Sequence, residues 1–343
     1  MSAFNRRKKY SSTAEEFEKF RFCSEIIPEN NRSLSIAKYP SAEEKVFLET
    51  GDPILLTELI GEGGEGNIYG TNSPFLAKIY KEGKSRKMTE EKLSLMLSRR
   101  IICNGICYPT AKLFDKNGTF VGFLMPAGRG KDLDKLWNDG TRALYFPDWE
   151  RKDLIMLCVT LLEKIKYLHD RNLLIGDING KNFLVETPEK VWFVDTDSYQ
   201  VEGYPCPVGT EDFSAPEIQN RNFRTFLRTK GNENFAVAVL LFKVMMLGKH
   251  PYSQIGGESI KDNIKEGNFP YLKEEHSLIA PKGPWEKIWE SLPSNLRDAF
   301  FNTFSSNGKY NMEEMRPGVD EWLDLFLKYQ KKYTAKHRKN YTF

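Results

Sequence analysis

Hydrophobic positions are sparse and irregular over residues 1–44, and from Val46 onward they fall into regular periods. The opening stretch is polar and mixed in charge, with a short helix expected over 13–20. Its composition predicts partial disorder or a strap across the body. Leu55, Leu56, Leu59 and Ile60 then lead into GEGGEGNIYG, after which Asn67, Ile68 and Tyr69 read as a return strand and PFLAKIY as the next. KMTEEKLSLMLSRR repeats apolar residues at Met88, Leu93, Leu95 and Met96 and predicts an amphipathic helix. Strand-like segments over 110–114 and 119–125 flank turn residues 115–118, and Pro126, Ala127 and Gly128 form a hinge. Beyond it the period turns helical from Leu133, with a long apolar helix over 153–169 and a nearly all-apolar one over 235–248 that must be buried. Further helices are expected near 259–266, 285–291, 294–304 and 319–329. Strands first and helices afterwards predict an α+β chain with parts at 45–128 and 129–330, and a basic tail over 331–343.

The 343 residues suffice for such a two-part body, and the formal net charge of +3 argues against a nucleic-acid partner by composition. Basic residues gather at the ends, at Arg6, Arg7, Lys8 and Lys9 and again at Lys331, Lys332, Lys336, Arg338 and Lys339; solvated tails are the expectation. Cys23, Cys103, Cys107, Cys158 and Cys206 show no paired metal-binding spacing and read as free thiols of a reducing compartment. No membrane span and no secretory signal is expected, so the chain reads as cytoplasmic, with export as an effector left open.

Candidate chemistry centres on LLIGDINGKNFLVETPEKVWFVDTD, where Asp177 is followed by Asn182 and an apolar run ends in Asp195. Phosphoryl transfer needs charge positioned around nucleotide phosphates, and a base plus two metal-holding groups in this order meets that need. By itself the stretch could equally be a buried strand meeting a turn. Upstream, Gly61, Gly63, Gly64, Gly66 and Ile68 fit a loop whose bare backbone approaches phosphates, although a tight hairpin has the same composition. Lys78 lies in an apolar strand and needs an anionic partner unless it sits at a sheet edge. Glu90 and Glu91 are the candidates, and Glu91 is preferred from its spacing to Leu95. His169 reads as a helix-end residue. Downstream, Thr210 and Ala215-Pro216-Glu217 fall where a substrate loop closes, with Arg316 the expected ion-pair partner of Glu217.

In this order the motifs resemble the protein kinase superfamily over about residues 45–330. More narrowly, GEGGEGNIY, IGDINGKN and DTDSYQ resemble a bacterial serine/threonine kinase-like group associated with stress and tellurite-resistance systems, often beside a phosphatase. Some members of that group carry an appended helix-hairpin-helix module, which this chain is expected to lack. The resemblance implies a bilobal fold, with a small antiparallel sheet and one helix before a larger helical lobe. It implies ATP with Mg²⁺, or Mn²⁺ in its place, a protein substrate and a cognate phosphatase. It assigns Asp177 to the substrate hydroxyl, Asn182 and Asp195 to the metal, and Lys78 to the phosphates with Glu91 steadying it. Lys181 would touch the transferred phosphoryl group and Thr210 would brace Asp177, which favours Ser or Thr acceptors. Met125, Ala127 and Leu184 would line the nucleotide pocket with the glycine loop.

Three departures from the family pattern are visible. Ile175-Gly176-Asp177 lacks the arginine that reads a phosphorylated loop, so such regulation is not expected. Asp195-Thr196-Asp197 puts a carboxylate at a usual glycine, either for Mg²⁺ or to cap the next turn. Glu233 replaces an aspartate, and its bonds to the catalytic loop are expected to be rearranged or lost. A nucleotide-binding scaffold without turnover and a transferase of AMP remain open alternatives.

Overall fold

The computed structural model describes residues 39–81, 86–99, 101–272 and 277–338. The expected strap and the helix over 13–20 lie outside them. Strands β1 (Lys45–Phe47), β2 (Pro53–Glu62), β3 (Gly66–Thr71), β4 (Phe75–Tyr80), β5 (Ala111–Phe114) and β6 (Phe120–Pro126) are antiparallel neighbours in the order β1-β2-β3-β4-β6-β5. The expected small antiparallel sheet closes into a barrel, because all of β1 pairs with β2 and its last residue, Phe47, also pairs with Phe114 of β5. Its interior is the apolar cluster of Val46, Leu56, Tyr69, Ala77, Ile79, Leu113, Val121 and Leu124.

Alternation along β4 then decides where the chemistry lies. Ala77 and Ile79 point into the barrel, so Leu76, Lys78 and Tyr80 point out of it, toward the helical part of the chain. Helix α1 (Arg86–Ser98) covers that outer face with Leu93 and Met96, which join the larger apolar cluster.

After β6 come β7 (Lys131–Asp132), α2 (Asp139–Tyr145) and α3 (Arg151–His169). Beyond them β8 (Leu173–Leu174), β9 (Phe183–Thr187), β10 (Lys190–Phe193) and β11 (Gln200–Val201) form two small antiparallel sheets. Helices α4 (Lys230–Met245), α5 (Ile260–Glu266), α6 (Trp285–Ser291), α7 (Ser294–Phe304) and α8 (Val319–Arg338) complete the body. α4 is buried along most of its length, and its Phe242 meets Phe300 edge-on at 5.2 Å and lies 6.2 Å from Trp289. It starts earlier than expected because Thr229 accepts the Asn232 N–H at 3.1 Å and Asn232 accepts the Thr229 N–H at 2.9 Å, which places Glu233 in its first turn. α8 runs past the expected end at 329, so Lys331, Lys332 and Lys336 lie on a helix instead of a tail.

Candidate active site

The β9–β10 hairpin brings the two residues proposed to hold metal to neighbouring positions of the backbone. Phe183 and Phe193 are register partners with rings 4.8 Å apart, so Asn182 and Val194 flank the same rung and Val194 donates its N–H to the Asn182 carbonyl at 3.0 Å. Asp195 follows immediately in a left-handed backbone conformation, φ +54°, which aspartate tolerates better than most residues. Its carbonyl accepts the Ser198 hydroxyl at 2.8 Å, which fixes the turn.

Asp177 sits on the adjoining loop with both carboxylate oxygens engaged. Thr210 donates its hydroxyl to Oδ1 at 2.8 Å, and the Asn182 amide lies 3.4 Å from Oδ2 and donates to the Asp177 carbonyl at 2.7 Å. The Asn182 amide nitrogen is thereby turned to the loop, leaving its oxygen on the other side with no protein donor among the described residues. Lys181 is exposed beside it.

Glu233 anchors this loop from below. Its buried carboxylate accepts the N–H groups of Ile175 at 3.0 Å and Gly176 at 2.7 Å, and pairs with His169 Nε2 at 2.9 Å. Of the two expected outcomes, rearrangement or loss, loss is not found: the longer side chain bonds two backbone donors of the loop at once. His169 ends its helix as expected and also faces Glu233. Gly176 has φ +74°, and a Cβ there would lie 2.7 Å from the Cys206 sulfur, so no arginine fits in its place. Arg228, which the sequence reading missed, holds the segment facing Gly176 by donating to the Cys206 carbonyl at 2.9 Å and the Val208 carbonyl at 2.7 Å. The buried Gln200 side chain in turn clamps the Arg228 backbone, with two bonds of 2.7 Å. Glu217 and Arg316 form the expected two-pronged pair at 2.5 and 2.7 Å.

Lys78 reaches this assembly from the barrel. Its ammonium donates to Asp195 Oδ1 at 2.6 Å and to Asp197 at 2.7 and 2.9 Å, and the Tyr80 hydroxyl donates to Asp197 Oδ2 at 3.0 Å. Burial alone would drive the Lys78 ammonium toward neutrality, yet Asp197 and Asp195 hold its pKa above the ordinary lysine value. Glu91 is not its partner. It is exposed on α1 and faces the Tyr204 hydroxyl, 3.4 Å away, while the next residue, Lys92, is the buried one. Asp197 serves neither as a plain cap nor as an open metal position, because both its oxygens are taken.

The glycine stretch forms the β2–β3 turn. Gly63 donates to the Gly66 carbonyl at 2.9 Å, and a Cβ on Gly66 would lie 2.6 Å from the Ile79 carbonyl oxygen, so that position needs glycine. Positions 61 and 64 have open space around them. Ile68 pairs in register with Lys78, and Met125 with Leu76, which puts Met125 on the diagonal two positions from Lys78, whose own partner on β6 is Phe123. Ala127 is half-buried at the hinge, next to Gly128, whose α-carbon faces Leu184 and Val194 closely enough that a Cβ would meet them at 3.0 and 3.1 Å. Lys78, Asp177, Asn182, Asp195 and Thr210 are therefore linked through one set of contacts, with the hinge and glycine turn on adjoining strands.

No cluster of three or more His, Cys, Asp or Glu side chains capable of holding a metal occurs among the described residues. The donor set here is one carboxylate and one amide oxygen, which suits Mg²⁺ shared with phosphate oxygens and does not suit a metal caged by protein alone.

Comparison with known proteins points to protein kinases. Over 295 residues the chain is 27% identical to the protein kinase YegI of Escherichia coli strain K12, covering 81% of this chain and 45% of that protein. The O157:H7 counterpart is 27% identical over 309 residues, covering 84% and 47%. The epidermal growth factor receptor of Apis mellifera is 23% identical over 235 residues, 61% of this chain and 17% of the receptor. The relationship is protein kinase-like. The chain spans about half the length of the YegI proteins it matches. No family model matches it. No helix among the described residues is long and apolar enough to cross a membrane.

Proposed function

We propose that the chain binds ATP with Mg²⁺ and transfers the γ-phosphoryl group to Ser or Thr hydroxyls of a protein substrate. The observation that carries the reading is two contacts, Asn182 with Asp177 and Lys78 with Asp195, joined where Val194, the neighbour of Asp195, donates its N–H to the Asn182 carbonyl. Asp177 accepts or orients the proton of the substrate hydroxyl. Thr210 fixes one carboxylate oxygen, so the other is aimed without a search over rotamers. Asp195 and the Asn182 amide oxygen would hold Mg²⁺, which neutralises charge on the phosphates when bound. Lys78 holds the α and β phosphates, the glycine turn covers them, and exposed Lys181 stands beside the transferred group. Ile68, Met125, Ala127 and Leu184 enclose the base. The half-exposed Asp195 and fully enclosed Lys78 suit these tasks, since a metal-holding carboxylate needs an open side and a phosphate-holding amine needs a low-dielectric one.

Mass spectrometry of the acceptor after incubation with ATP and Mg²⁺ tests the reading. Added phosphate on Ser or Thr, lost in Asp177→Ala, is expected. Added AMP would instead assign nucleotidyl transfer to the same site, and nucleotide binding with no modified product would assign a scaffold.

A further inference from the structure

Lys78 contacts two carboxylates that are held very differently. The Asp197 side chain is 4% exposed and takes Lys78 on both oxygens and Tyr80 on one, whereas that of Asp195 is 44% exposed and gives Lys78 a single oxygen. An enclosed carboxylate with three donor contacts cannot turn away without leaving an uncompensated buried charge, while a half-open one can exchange an ammonium for a metal ion.

Helix α1 offers Lys78 no carboxylate in return. Glu91 faces outward to Tyr204, and the buried position is Lys92, which has no hydrogen-bond or ion-pair partner among the described residues. Burial pushes the Lys92 ammonium below its ordinary value, and the Cys206 thiol, Asp197 and Glu65 pull it back, so it lies within the field of the same cluster.

We propose that Asp197 is the positioning residue for Lys78, standing where a helix glutamate was expected, and that Asp195 is thereby released to the metal. The assignment rests on the ATP- and Mg²⁺-dependent reading above. Asp197 and Asp195 belong to one turn, so a single segment sets both the phosphate-holding amine and the metal-holding carboxylate. The Lys78 pair is then independent of where α1 sits, and displacing that helix does not unmake it.

Calorimetric titration of the full chain with ATP and, separately, with adenosine tests this. Asp197→Asn is expected to weaken ATP binding about tenfold to hundredfold, the loss for a charged hydrogen bond, and to leave adenosine binding unchanged. Glu91→Gln is expected to change neither. Unchanged ATP binding in Asp197→Asn, or adenosine binding that weakens in parallel with it, would overturn the assignment. So would a loss of ATP binding in Glu91→Gln, an arm that decides the matter even where Asp197→Asn fails to fold. A wild-type chain that binds adenosine and ATP equally weakly removes the kinase reading itself, and the assignment with it.

Discussion

Thr210 donates its hydroxyl to Asp177 Oδ1 at 2.8 Å, joining the proposed catalytic carboxylate to the loop that ends in Ala215-Pro216-Glu217. In the proposed reaction this bond, the shorter of the two on the carboxylate, sets how Asp177 faces the acceptor hydroxyl. Thr210→Val keeps the shape and removes the donor, so kcat is expected to fall roughly tenfold to hundredfold, the scale of a small misplacement of a reacting group. Thr210→Ser should retain most of the rate, and ATP affinity should be the same in all three. Steady-state kinetics with a Ser-containing acceptor measures both quantities, and a change in KM for ATP alone would contradict the assignment.

Glu233 is 2% exposed and satisfies two backbone N–H groups of the catalytic loop. Glu233→Ala strands both, at about 1–3 kcal/mol for each buried donor left without a partner. A fall in unfolding free energy of about 2–6 kcal/mol is expected from urea titration, with activity lost as the loop relaxes. A change under about 0.5 kcal/mol, the scale of an ordinary surface substitution, would mean that water replaces the carboxylate.

His250 gives the fold a calculable pH response. Its Nδ1 accepts the Tyr252 N–H at 3.2 Å and its Nε2 donates to the Asp212 carbonyl at 2.8 Å, so the neutral ring uses both nitrogens. Burial pushes its pKa down from 6.5 to about 3, against the Asp212 bond, which favours the proton. As pH falls below 6.5 the unfolded chain binds a proton that the folded chain refuses, so this group's contribution to stability declines from 6.5 toward about 3. Urea midpoints across that window should fall more steeply for wild type than for His250→Gln. Parallel curves would contradict a neutral buried ring.

Much of this architecture was legible because the signals were local. The apolar run around Lys78 located β4, while the phase that puts Lys78 on the outer face with Tyr80 emerged from the packing of Ala77 and Ile79 inside the barrel. Asp177, Asn182 and Asp195 stood at intervals that a loop and one hairpin bring together, as the Phe183–Phe193 register does. The contacts that escaped the reading depend on rotation or on distant partners. Glu91 and Lys92 are neighbours, and one residue of α-helix is about a 100° turn, so the edge of an apolar stripe does not say which of them is buried. Closure of the barrel depends on a three-residue strand, β1, too short to show a period. Asp197 meets Lys78 across 119 positions of sequence, and Glu233 meets Gly176 across 57. Neither contact leaves a trace in local pattern, and the reach of the glutamate became visible only against the backbone it holds.

Transfer of labelled phosphate from ATP to a protein acceptor, compared between wild type and Asp177→Ala at equal concentration with Mg²⁺ present, tests the account most directly. The grouping of Asp177 with Asn182, Asp195 and Lys78 predicts a fall of about 10² to 10⁴ in rate, the contribution of a positioned acid–base group. Equal labelling by the two proteins would contradict it.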